Sequence, residues 1–163
     1  MKGVLNIEFI VSVIVFLITL SFVSMSIINN APFLHQESFI ENLKSNAYQV
    51  SQLLLLDEGL SDSGNTNWNK DNVVLLGLSA GEEYILDQNK ISELDNLCNE
   101  DYEKVRGLLA DYKTYITLSI IRPDGSQILD CRPEEKKGIT SVVKRHAVVN
   151  GEVVRFDISV IGI

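Results

Sequence analysis

The sequence predicts an α+β fold: a long, kinked, hydrophobic N-terminal helix, followed by a small head with one further helix and an antiparallel β-meander. Three observations carry this. Phe9 to Ile28 contains no charged residue, a second stretch from Phe39 to Leu54 repeats apolar residues at helical spacing, and the last fifty residues are rich in β-branched residues broken by turn signals.

Twenty uncharged residues rise ~30 Å as a helix, the thickness of a hydrocarbon core. The run is longer than the apolar part of a secretory signal, and no small-x-small cleavage site follows it, so the segment is expected to stay with the protein as a membrane span. Lys2 and the terminal amine are the nearby cations, which places the N-terminus in the cytoplasm and the rest of the chain outside. Pro32 removes a helical hydrogen bond and is expected to interrupt or kink the rod. Beyond it Phe39, Ile40, Leu43, Ala47, Val50, Leu53 and Leu54 form one apolar stripe, ending near Asp57-Glu58-Gly59. From Val4 to Leu56 such a rod is ~80 Å long. The stripe of its upper half can be covered by the same chain, whereas the lower half, apolar all round, needs lipid or other copies.

Residues 61–72, SDSGNTNWNKDN, read as a polar loop holding the one tryptophan, Trp68, either a lid over the core or a contact to a partner. Val73 to Leu78 is a short buried strand or a helical turn. From Gln88 to Ala110 the residues Ile91, Leu94, Leu97, Cys98, Val105, Leu108 and Leu109 share a helical face. Thr114–Ile121 is a strand, Pro123-Asp124-Gly125 a turn, and Gln127–Cys131 the returning strand. Thr140–Val149 and Glu152–Ile161 flank Asn150-Gly151, a strong hairpin signal.

The chain has 163 residues and a net charge of −8. No basic stripe could release counterions from a phosphate backbone, so nucleic acid is not an expected partner. Cys98 and Cys131 both fall in the exported part, where one disulfide closing a 33-residue loop is the simplest outcome. Two unpaired buried thiols are the alternative. His35 and His146 have no ligand spacing to either cysteine, and Asp87, Asn89 and Glu93 lack the spacing and glycine of a calcium loop, so no metal is expected. Asp62 and Asp71 read as parts of a polar loop. Lys144-Arg145-His146 reads as a solvated strand edge, with Lys144 and His146 on one face and Arg145 on the other. No nucleophile elbow, phosphate loop or His/Cys cluster is present, so neither catalysis nor a cofactor is expected.

Glu8 is the informative exception, an acid at the edge of the apolar run. Burying it in a membrane costs up to about 2.5–3.5 kcal/mol unless a partner repays it. A peptidase cut after Gly3 would remove Lys2 and create an α-ammonium on Val4 in the same layer. Glu8 of one copy could then meet Val4 of the next inside a low-dielectric bundle and set the stagger of a polymer.

Lys2-Gly3 before the cut, Val4 as the new terminus, Glu8 as fifth mature residue and Phe9 after it resemble the N-terminus of type IV pilins, in particular the archaeal class III signal peptide. The match covers residues 2 to about 28. The resemblance implies a leader, 1–3, a membrane and filament-core helix, 4–30, and an extracytoplasmic head, 31–163, with the helix continuing to about 56. It implies a structural filament subunit, whether major pilin, minor pilin or pseudopilin. Its processing site is Gly3 and Val4, and its assembly residues are Val4, Glu8 and Phe9. The partners implied are a prepilin peptidase, an assembly platform and other pilin copies. The competing expectation is a membrane-anchored extracytoplasmic binding module that does not polymerise.

Overall fold

The computed structural model describes residues 7–111, 113–134 and 137–162, with the backbone alone described for 30–35. Helix α1, Ile7–Leu56, keeps helical backbone through Pro32, so the proline does not end the helix. The chain divides into two compact units, residues 1–39 and 40–163.

In the first unit, residues 7–29 of helix α1 expose their side chains on every side. Ile7, Phe9, Phe16, Phe22, Met25 and Ile28 are each more than 60% exposed, and Ile7–Asn29 is long and apolar enough to cross a membrane. That span holds 23 residues, or ~35 Å.

In the second unit, Leu43, Ala47, Val50, Leu54 and Leu55 of α1 are buried in one cluster with the inner face of a sheet. Leu43, Ala47, Val50 and Leu54 belong to the predicted stripe, whereas predicted Ile40 and Leu53 are only half-buried, Phe39 is exposed, and Leu55 joins the core unpredicted. Two small strands follow, β1 (Leu60–Ser61) and β2 (Val73–Leu75), paired antiparallel, then β3 (Ile85–Leu86). The segment expected as one helix forms two, α2 (Gln88–Glu100) and α3 (Tyr102–Leu109). Asp101, with φ −148°, leaves helical geometry, and its carboxylate caps α3 by accepting from Lys104 N.

The four long strands fall where predicted: β4 (Thr114–Ile121), β5 (Gln127–Cys131), β6 (Ile139–Val149) and β7 (Glu152–Gly162). They are antiparallel to one another, but their order is β3-β6-β7-β4-β5 rather than that of a simple meander. Two hairpins, β4–β5 and β6–β7, are joined through β4 and β7, which pair from Thr114↔Gly162 to Ile121↔Arg155. The last strand therefore sits at the centre, and β3 adds a short parallel edge to β6. Burial alternates along all four strands, so one face lies in the core with Ile116, Leu118, Ile120, Phe156, Ile158 and Val160 fully buried. Asn150 and Gly151 both have positive φ, 51° and 81°, as a two-residue hairpin turn requires.

Candidate functional site

The site indicated by the sequence is the exposed apolar helix with its acid. Gly3 and Val4 lie outside the described residues. Glu8 and Phe9 are both exposed, and Glu8 is the only Asp, Glu, Lys or Arg between Ile7 and Asn29. Two of the hydroxyls in this span fold back onto the helix: Ser12 Oγ donates to Glu8 O at 2.8 Å, and Thr19 Oγ1 donates to Val15 O at 2.9 Å. A hydroxyl satisfied in this way presents its carbon side outward, so the surface stays apolar. Among the described residues none donates a hydrogen bond to the Glu8 carboxylate. The span therefore offers a hydrocarbon surface with one anionic point near its start.

The head is held rigid by different chemistry. Cys98 and Cys131 form a disulfide, with Cα atoms 5.6 Å apart, tying α2 to β5. Trp68 is buried and donates from Nε1 to Glu58 O (3.1 Å) and Gly77 O (3.0 Å), so it is the lid rather than a partner contact. Beside it the buried Lys90 donates from Nζ to Glu58 O at 2.9 Å and Ser79 O at 2.8 Å. Gly59 (φ 70°) and Gly77 allow these segments to meet: a Cβ on Gly77 would stand 2.4 Å from Asp57 O. Sequence reasoning missed Lys90, which on α2 reads as a solvent-facing lysine. The only signal for it was its position one turn from Asp87 on a helix otherwise buried at Ile91 and Leu94.

The acids considered for calcium are already engaged. Asp87 caps α2 by accepting from Asn89 N and Lys90 N, and Glu93 Oε2 accepts from Lys70 N at 2.9 Å. Lys144 and His146 are exposed on the outer face of β6, whereas Arg145 turns inward with its guanidinium 4.6 Å from the Tyr48 ring centre. Tyr102, half-buried, donates from its hydroxyl to Ile116 O (2.8 Å) and accepts from Ile116 N (3.0 Å). Burial pushes its pKa above the ordinary tyrosine value. A cavity of about 540 Å³ opens between α1 and the end of α3, lined by Gln49, Leu53, Leu108 and Ile116, with Asp111 its one ionisable side chain.

No protein-family model, no curated protein and no solved structure matches this chain.

Proposed function

We propose that the chain is a structural subunit, a major or minor pilin or a pseudopilin, of an extracellular type IV pilus-like filament. Its partners are other copies or other pilins, a prepilin peptidase that cuts between Gly3 and Val4, and an assembly platform. Before assembly it is a single-pass membrane protein with its N-terminus in the cytoplasm, and afterwards it belongs to a surface filament.

One observation carries this reading: 23 consecutive helical residues bury nothing in their own chain and carry a single charge, Glu8, near the start. Lipid satisfies the hydrocarbon but not the acid. A bundle of copies satisfies both, because each large side chain buried there gains about 1.5–3 kcal/mol relative to water. Each Glu8 can also meet the Val4 ammonium of a neighbour. Phe9 and the aliphatics behind it supply the lateral packing.

The intact mass of the protein from native membranes or filaments is expected to begin at Val4. Glu8→Ala is expected to leave cleavage and insertion intact while lowering incorporation into polymer. A chain that keeps Met1 and Lys2 and stays monomeric would instead indicate a membrane-anchored binding module. Unchanged polymer yield in Glu8→Ala would remove the pairing role.

A further inference from the structure

At one end of the five-stranded sheet the two-residue β3 covers only part of β6, and the rest of that edge is bare among the described residues. Strand β3 pairs with Val148 and Val149 only, leaving nine of the eleven residues of β6 without a neighbour among the described residues. The other end of the sheet differs, because β5 is tethered to α2 by the Cys98–Cys131 disulfide.

The register fixes which backbone groups point outward. Val149↔Glu152 closes the two-residue turn, and such a closing pair exchanges both its hydrogen bonds. Odd-numbered residues of β6 therefore bond to β7, and even-numbered residues turn their N–H and C=O to the edge. Val148 N confirms the parity by donating outward to Tyr84 O at 2.8 Å. Thr140, Val142, Lys144 and His146 thus present unpaired donors and acceptors in a row, the template that recruits another strand. Tyr84 limits how far β3 reaches. It sits at φ 62°, a conformation costly for a bulky residue, and turns the chain away from β6 at that point.

We infer that this edge receives β6 of a second copy of the same chain, antiparallel and centred on Val143. Three independent constraints select that register. The open stretch, 139–147, is symmetric about residue 143, so the incoming strand fills it and stops at the β3 barrier. Even residues must meet even residues for the outward groups to bond, and here Thr140 meets His146 and Val142 meets Lys144, giving about eight interchain hydrogen bonds. Finally, no charge faces its own twin, whereas moving the centre to residue 144 would set Lys144 against Lys144. Charge at the ends agrees. The chain entering the second copy's β6 carries Lys137 toward the exposed Glu82 and Glu83, which form the turn leading into Tyr84. The result is a continuous sheet of ten strands across a two-fold axis.

The test uses detergent-solubilised full chain in a Glu8→Ala background, so that helix-driven assembly and edge pairing fail independently. Across the axis, Val143 of each copy forms a non-hydrogen-bonded pair with Cα atoms about 4.5 Å apart, within disulfide reach. Val143→Cys is therefore expected to cross-link into a covalent dimer under mild oxidation, and Val153→Cys, exposed on the neighbouring strand, is not. Val142 is 50% exposed and opposes Ser159 within its own sheet, so charges are tolerated there by the fold. Val142→Glu places an acid opposite Lys144 of the second copy twice per dimer and should tighten association by roughly 2- to 30-fold. Val142→Lys should weaken it by a similar factor. Monomeric Val143→Cys, equally ready cross-linking by Val153→Cys, or a shift in the same direction from both Val142 variants would each overturn the inference.

Discussion

Replacing Lys90 by methionine tests the organisation of the head most directly. The lysine is 5% exposed, and its ammonium lies 2.9 Å from Glu58 O and 2.8 Å from Ser79 O. Methionine keeps the length and apolar stem but removes both donors. Glu58 O retains the Trp68 indole at 3.1 Å, so its loss is partial, whereas Ser79 O loses the charged donor it has here. Hydrogen bonds from a charged donor are worth about 1.5–3 kcal/mol, and an orphaned buried carbonyl costs about 1–3 kcal/mol. Offsetting this, the variant no longer desolvates an ammonium. The balance is a destabilisation of about 2–4 kcal/mol, which for a unit of this size lowers Tm by roughly 8–16 °C. Circular dichroism during thermal and urea unfolding of the full chain in detergent measures it, with Lys44→Met as an exposed control and Lys144→Met as a second one read in the dilute, monomeric limit. If Lys90→Met costs no more than Lys44→Met, the carbonyl cage around Lys90 contributes nothing and the account of this junction fails.

Other expectations rest on separate contacts. Cys98→Ser opens a 33-residue loop and should destabilise the head by ~3–4 kcal/mol in the loop-entropy account, read as a lower urea midpoint with an otherwise intact fold. Gly77→Ala forces a Cβ to within 2.4 Å of Asp57 O and Gly59 N, both backbone, and should cost roughly 3 kcal/mol in the same assay. Tyr102 has a raised pKa in the fold, chiefly from burial, so the fold favours the protonated hydroxyl. Its contribution is complete below the unfolded value of about 10 and is lost as pH rises through the higher folded value. Tyr102→Phe should therefore flatten the alkaline limb of the stability–pH curve, and an unchanged limb would contradict the assignment.

What the sequence made legible was local. Periodicity located the apolar stripe of α1, β-branched runs between turn signals located β4 to β7, and Asn150-Gly151 announced the hairpin whose positive φ values the structure contains. Two cysteines in a segment expected to be exported predicted the disulfide that joins α2 to β5. Strand order was not legible, because every long strand alternates in the same way and alternation says which face is buried, not which strand is adjacent. The β4–β7 pairing joins residues about forty positions apart and was decided by how the two hairpins close one core. Strand β3, with two residues, is too short to show a period. The break at Asp101 escaped notice because Val105 and Leu109 resume the apolar spacing on the far side of it.

Lys90 and Glu8 pose the same physical problem in the two separate units of the chain. Each is a charge set among apolar neighbours, and an unpaired charge there is costly whatever its sign. Lys90 is resolved internally, since the loops around Glu58 and Ser79 turn their carbonyls onto its ammonium and Gly59 and Gly77 let those loops approach. A helix surface such as Ile7–Asn29 has no such recourse. Its own backbone groups are spent on the i→i−4 ladder, the Ser12 and Thr19 hydroxyls fold back onto that ladder, and no described side chain donates to the Glu8 carboxylate. Among the described residues, then, the fold supplies partners for the buried cation and none for the acid. On the proposed reading, a group on another copy that carries a positive charge at the same depth, the Val4 ammonium, answers Glu8.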